Sequence, residues 1–455
     1  MSTAPISDSN PSIDAPSIRS RHPFGHLPAA RTGLLELFNQ ARDLGPVVDL
    51  RMAHVTITVV SSPSAVHHML VKKTAQYAKT TRGYQILRLL LGNGLVTAMG
   101  DDWRRHRRIA NPAFRRDAVA GFVTTMTDST QAWLNSLPAQ AGSVDIAQAM
   151  HRLTLEIAGK TLLSRDLSAR GDTIGEALET VLPGFDSLSR SVLPRPWRWP
   201  LPATRRFMKG VRKLDQVTKD IIQERRADPR NHPDLLGMLM LATDPETGAA
   251  MTDQQLRDEV LTMLLAGHET TANAMAWTLH LLAQHPKIAD AVHAEVMSVV
   301  GEAPITASHI GQLDLTSRVF DESLRLYPPI WVHARQALQA DVIDGVTIPE
   351  GRMLFIHTYG LHRHPELWDA PDSFDPDRFL PQRSAAMPHG AYHPFSMGQR
   401  KCIGDRFAKT EGITLLAMMV RSLHFASVPG AVVLPEPSLT LRPRGGLTLR
   451  VTRRE

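Results

Sequence analysis

Cys402 is the only cysteine in the 455-residue chain, and it sits in Phe395-Ser-Met-Gly398-Gln-Arg400-Lys401-Cys402-Ile-Gly404, just ahead of a helix-like run from Asp405 to Val420. A lone cysteine is usually a small buried hydrophobe. The neighbours of Cys402 are cationic and glycine-rich instead, which suits a thiolate: a helix N-terminus flanked by Arg400 and Lys401 supplies positive potential and N–H donors. Glycines at 398 and 404 would let the backbone turn tightly and come close to a flat cofactor. A second set, Ala266-Gly-His-Glu269-Thr270-Thr271, interrupts an apolar stretch with a carboxyl and two hydroxyls. Burying a carboxylate is expensive unless it is compensated, so Glu269 requires a reason. A pair of helices meeting at a small-residue notch, with Glu269 reaching a buried basic partner, is the plainer account of that stretch.

These residues need elements to hold them. The best-defined element is a helix starting at Thr252. Thr252 and Gln255 form a capping-box pattern, and Met251 and Leu256 occupy the two positions of a hydrophobic staple. It should stop before Pro286, giving roughly 30 residues and about 45 Å. Its middle, Val260 to Ala276, is apolar nearly all round, so it should be buried on most sides. Gly267, and Thr270 bonding back to the carbonyl four residues earlier, predict a local bend or opening there.

Helical periods dominate from about Pro63 to Tyr327. Alternation in Val47–Met52 and Val55–Val60 predicts a strand pair, Val342 to Gly351 a hairpin, and Leu439 to Val451 an extended segment with a turn at Arg444-Gly445-Gly446. The fold class is mainly α with a small β portion. Residues 1–20, rich in Ser, Pro and Asp, read as a disordered tail. With no linker composition elsewhere, residues 21–455 read as a single domain.

The motif Phe-x-x-Gly-x-Arg-x-Cys-x-Gly resembles the haem-binding loop of the cytochrome P-450 superfamily, and further motifs follow in the family's order from about Val47 onward. The resemblance implies that fold, with a long central helix over the haem and small sheets built from both ends of the chain. It implies haem b (iron protoporphyrin IX) as cofactor, with Cys402 as the axial iron ligand. A thiolate at that position favours O–O cleavage. It further implies that Glu269 and Thr270 are the acid and alcohol delivering protons to dioxygen. Trp103 and Arg107, in Trp-x-x-x-Arg spacing, together with Arg335 and Arg400, match positions that reach the haem propionates. Phe395, Gly404 and Ala266 match positions lining the haem. Glu322 and Arg325, three apart on one helix face, match a family pair that Arg378, in Phe374-Asp-Pro-Asp-Arg378-Phe379, completes as a structural network outside the chemistry.

The expected activity is therefore a haem-thiolate monooxygenase that hydroxylates or epoxidises a largely apolar small molecule of fatty acid, terpenoid or polyketide type. By the same resemblance its pocket draws on residues 84–96, 182–208, 263–266 and 330–332 and the turn near Gly445, with residues 193–200 as a candidate lid. A haem-thiolate peroxygenase or isomerase that bypasses dioxygen, and a non-enzymatic haem or hydrophobic-ligand binder, are the alternatives. The acid–threonine pair weighs against the first. The lack of an attached output module weighs against the second.

No reductase segment follows Glu455, so electrons are expected from a separate protein. The formal charge of +6 concentrates in arginine clusters at 104–108 and 115–116 and around 400–409. These suit steering of an acidic ferredoxin or flavodoxin, supplied by its own reductase. No nucleic-acid motif accompanies the clusters, and no apolar run is long enough for a membrane anchor. Together with a single cysteine, this points to a cytoplasmic protein.

Overall fold

The computed structural model describes residues 13–138, 142–164, 168–189, 191, 195–228 and 234–454. The principal helices are α1 (Leu27–Leu44), α2 (Gly100–Ala110), α3 (Ile146–Leu163), α4 (Ser168–Ser189), α5 (Pro202–Ala227), α6 (Asp253–Gln284), α7 (Asp314–Leu326) and α8 (Asp405–Ser422). The strands are β1 (Val47–Met52), β2 (Val55–Val60), β3 (Tyr77–Ala78), β4 (Gly142–Asp145), β5 (His333–Ala337), β6 (Asp341–Ile343), β7 (Val346–Ile348), β8 (Met353–Ile356), β9 (Leu423–Ser427), β10 (Pro435–Pro437), β11 (Leu441–Pro443) and β12 (Thr448–Arg453). The chain packs as two compact units. One comprises Met1–Thr81, Val332–Pro371 and Met387–Lys401, and the other Arg82–Trp331, Asp372–Ala386 and Cys402–Glu455. Each is assembled from three separated stretches, so no linker composition marks a boundary between them.

The first unit is built on a five-stranded sheet in the order β1-β2-β8-β5-β3. The expected β1–β2 pair is antiparallel, and β2 then pairs in parallel with β8, some 300 residues later. The hairpin expected over Val342–Gly351 is the antiparallel pair β6–β7. Val47, Val60, Leu354 and Ile356 on the strands, with Met69 of the helical turn His68–Lys72, belong to its core. Residues 1–12 of the expected tail lie outside the described residues. From Ile13 onward the chain is engaged: Ile13 exchanges hydrogen bonds with Gly345 and Thr347, and Asp49 donates its N–H to the Pro16 carbonyl at 2.9 Å. The backbone of this polar segment satisfies its donors and acceptors on strand edges, which composition does not reveal.

The second unit is organised around α6. Its capping box is formed: Gln255 N–H donates to Thr252 Oγ1 at 3.3 Å, and Thr252 N–H to Gln255 Oε1 at 2.9 Å. The helix runs 32 residues and ends ahead of Pro286. It packs against α3, α5, α7 and α8. Trp277, fully buried, stacks on Tyr327 with ring centroids 3.9 Å apart and donates its indole N–H to the Leu441 carbonyl. The two chain ends contribute to different sheets: β12 pairs with β4 and β9 within the second unit. Residues Arg444 to Gly446 do turn, yet they join β11, paired with β10, to β12 in another sheet. Among the described residues no helix is long and apolar enough to cross a membrane.

Close helix packing makes one glycine indispensable. A Cβ on Gly412 of α8 would lie 2.3 Å from the Phe320 ring of α7, inside its van der Waals surface. Gly412→Ala should therefore cost about 1–3 kcal/mol through overpacking, read as a lower urea midpoint with an unchanged slope.

Candidate functional site

The cysteine loop is shaped by backbone sterics. Gly398 has φ +66°, and a Cβ there would lie 2.1 Å from the Leu70 carbonyl oxygen, so only glycine fits. Gly404 is different. It caps α8 with φ −90°, and its nearest neighbours, Phe114 and the Cys402 sulfur, stand at ordinary contact distance. The tight turning expected of both glycines thus belongs to Gly398. Ser396 also adopts left-handed backbone, φ +63°, and its buried hydroxyl has no hydrogen-bond partner among the described residues. A serine held there stores strain of order 1–3 kcal/mol. The sequence reading passed over it.

Cys402 is exposed and lies three residues ahead of the first residue of α8, in the segment that leads into that helix start. Arg107 of α2 is close enough to feel it: burial lowers the affinity of that guanidinium for its proton, while the charges of Cys402 and Asp405 oppose the loss. Trp103, one turn earlier, is buried. The turn is anchored by a residue that the motif does not mark. His106 Nδ1 stands 2.9 Å from Glu259 Oε1 of α6, and both side chains are buried. Phe395, Arg335 and Arg400 belong to the first unit. Arg335 is buried and donates to the Ala334 carbonyl at 2.8 Å.

On α6 the backbone stays helical through Gly267. Thr270 Oγ1 donates to the Ala266 carbonyl at 2.5 Å, the predicted back-bond. What opens is the surface: Ala266 is exposed within a helix otherwise buried along nearly its whole length. Glu269, one residue before Thr270, is 3% exposed. Burial pushes its carboxyl above the usual range, assisted by the negative charge of Asp186 and resisted by Thr440 and Arg442. Thr440 Oγ1 donates to Glu269 Oε1 at 2.7 Å, whereas Oε2 has no hydrogen-bond partner among the described residues. With Oε1 accepting that hydrogen, Oε2 is the oxygen left to carry a proton when the acid is protonated. The Gly445 turn had been expected to line the pocket, but the turn preceding β11 is the one that reaches Glu269. Residues 192–194, part of the expected pocket and lid segments, lie outside the described residues.

Glu322, Arg325 and Arg378 come together as a buried network. Arg325 makes two bonds to the Glu322 carboxylate, both at 2.7 Å, and Arg378 Nε donates to Glu322 Oε1 at 3.3 Å. The backbone joins in through Asp375 N–H to Glu322 and Arg325 to the Ser373 carbonyl. Glu411 of α8 was not singled out from sequence. It is fully buried, its carboxyl is pushed up to about 8 by desolvation, and a Thr271 hydroxyl on α6 partly relieves it.

The basic clusters are partly engaged within the second unit. Arg105 and Arg108 pair with the buried Asp244, Arg104 with Asp101, and Lys409 with Asp321. Arg115, Arg116 and Arg406 remain exposed.

A family model, described as Cytochrome P450, matches residues 16–450. Relatives include the cyclooctatin synthase of Streptomyces melanosporofaciens, 34% identical over 87% of this chain and 86% of that one. The same organism's cyclooctat-9-en-7-ol 5-monooxygenase is 33% identical over 90% and 89%. The pentalenene oxygenase of Streptomyces avermitilis is 32% identical over 90% and 91%. Among solved structures, the haem domain of cytochrome P450DA superposes with a TM-score of 0.89 at 30% identity, covering 98% of each chain. The chain belongs to the cytochrome P450 family: it is a haem-thiolate monooxygenase, and its cofactor is haem.

The residues present fit that group. An exposed thiol beside a helix start and a guanidinium suits an axial thiolate, and the exposed Ala266 leaves a helix surface bare of side-chain bulk.

Two outcomes follow. Glu322→Ala strands two buried guanidiniums and should cost about 3–5 kcal/mol, visible as a lower midpoint together with loss of retained haem. For Glu411 the folded form holds its proton up to about pH 8. Its unfolded carboxyl ionises near the ordinary value, about 4.3. Burying it therefore lowers stability progressively as pH rises between those values, with the full cost above pH 8. Thermal midpoints should fall across that window in the native protein and stay flatter in Glu411→Gln.

Proposed function

We propose that this chain inserts one oxygen atom from dioxygen into a polycyclic terpenoid or similarly apolar molecule. Electrons reach it from a separate acidic ferredoxin or flavodoxin with its reductase. The observation carrying this reading is the carboxyl of Glu269, buried, pushed above its usual range and with Oε2 bare among the described residues, next to Thr270 and the exposed surface at Ala266. An enzyme that rearranges its substrate without reducing dioxygen needs no such proton relay.

Haem, when bound, supplies a thiolate-ligated iron at which dioxygen is reduced and cleaved. Cys402 would ligate it, with Trp103, Arg107, Arg335 and Arg400 binding the propionates through N–H donors. Arg107 and the helix start at Asp405 favour the thiolate over the thiol. Burial favours the protonated form of Glu269, which would carry its proton on Oε2. Thr270 would turn its hydroxyl hydrogen away from the Ala266 carbonyl and donate it toward the haem side while its oxygen takes up a proton passed from Glu269, one proton in for one proton out. Glu322, Arg325 and Arg378 position backbone and do not touch the reaction.

The terpenoid preference is supported by the names of the cyclooctat-9-en-7-ol and pentalenene oxygenases among the relatives. The exposed Arg115, Arg116 and Arg406 support an acidic partner, since they remain available to long-range attraction.

The reading is tested by supplying pentalenene and related hydrocarbons to the haem-loaded protein with a surrogate ferredoxin and reductase under isotopically labelled dioxygen. One labelled oxygen per product is expected, and turnover with peroxide but not with electrons and dioxygen would overturn it. Cys402→Ser should abolish the far-red-shifted carbon monoxide spectrum of the reduced protein. Thr270→Ala should keep haem while diverting electrons to free peroxide, by a factor of about 10²–10⁴ in product rate if the proton transfer is lost entirely.

A further inference from the structure

Glu269 is the terminus of a chain of side chains that leads to another helix. Thr440 donates to Glu269 Oε1 and itself accepts from Asn273 Nδ2 at 3.1 Å, all three being buried. Thr440 lies in the short turn between β10 and β11. Two residues earlier in that turn, Ser438 Oγ donates to Asp186 Oδ2 of α4 at 2.7 Å. The turn is braced: Ser438 N–H donates to the Thr440 carbonyl, Trp331 Nε1 to the Ser438 carbonyl at 2.9 Å, and Leu441 N–H to the Pro329 carbonyl at 2.8 Å. One stiff turn thus grips a carboxylate of α4 and the carboxyl of α6, two residues apart.

The α4 end is the weaker one. Pro183 lies inside that helix, three residues before Asp186, where it removes a backbone donor and clashes with the preceding turn. The charge of Asp186 also reaches Glu269, with Arg442 of β11 acting in the opposite sense.

We propose that the Ser438–Thr440 turn couples movement of α4 to the placement of Glu269, Ser438 being the tie to Asp186 and Thr440 the positioning residue that parks the carboxyl. This rests on Glu269 as the proton-holding acid. A ligand that displaces α4 pulls on Ser438, and the braced turn carries Thr440 away from Oε1, freeing the Glu269 side chain to swing. Losing the Thr440 bond and losing the neighbouring Asp186 charge act on acidity with opposite signs, so the movement changes where the proton is more than how tightly it is held. Proton delivery is then linked to occupation of the α4 side.

Infrared spectroscopy of the haem-loaded protein across pH tests this, with the Glu269 band identified by its disappearance in Glu269→Gln. Thr440→Val should shift that band to the frequency of a less hydrogen-bonded carboxyl and raise the pH at which it vanishes. Thr440→Ser should restore both, and Asp186→Asn should lower that pH. Ser438→Ala should reproduce part of the Thr440→Val frequency shift, and the double variant should shift no further than Thr440→Val alone. An unchanged band in Thr440→Val, additive shifts in the double variant, or no band that Glu269→Gln removes would each overturn the coupling. Unchanged peroxide leakage from Glu269→Gln during pentalenene turnover would instead overturn Glu269 as the proton donor and leave the coupling standing.

Discussion

A carboxyl placed at the middle of a helix that is buried on nearly every side sets the terms for much of this protein. Burial strips solvent from Glu269 and so penalises its ionised form. Among the described residues no cation contacts it. The surroundings provide one hydroxyl donor from Thr440, a negative charge from Asp186 and only an electrostatic influence from Arg442. The outcome is an acid pushed toward its protonated form next to Thr270, on a helix whose capping box and buried Trp277 anchor it firmly. Glu411 repeats the theme on α8, pushed up to about 8 by desolvation and relieved in part by Thr271 of α6. One carboxyl thus belongs to α6 and the other meets it from the helix that follows the cysteine.

The thiol needs the opposite treatment. Cys402 is exposed and is kept electropositive by a helix start and by Arg107. The loop leading to it holds its path through hard contacts, Gly398 against the Leu70 carbonyl and Ser396 in left-handed backbone. In the second unit, the Glu322 network supplies comparable stiffness by tying the segment around Ser373 and Asp375 to α7.

The surface charge tells less than the composition promised. Half of the basic cluster on α2 is committed to internal acids such as Asp244. The exposed arginines are fewer, and only those contribute to a field felt by an approaching partner.

Features that depend on neighbours in sequence could be read without coordinates. The Thr252 capping box, the stop before Pro286, the Thr270 back-bond and the strand pair at Val47–Val60 are each set by residues within a few positions of one another, where local sterics and hydrogen-bond geometry decide the outcome. The Glu322–Arg325 pair is local too, and Arg378 was reached through a motif. Thr440, Asp186, the His106–Glu259 pair and Glu411 were invisible because their meaning lies in a partner that is distant along the chain, and nothing in the type or spacing of a threonine says which carboxyl it will meet. Likewise the parallel pairing of β2 with β8, the two interleaved units and the docking of Ile13 to Pro16 depend on long-range register. Local chemistry was written in the chain; the desolvation that makes that chemistry usable arises only when separated segments close around it.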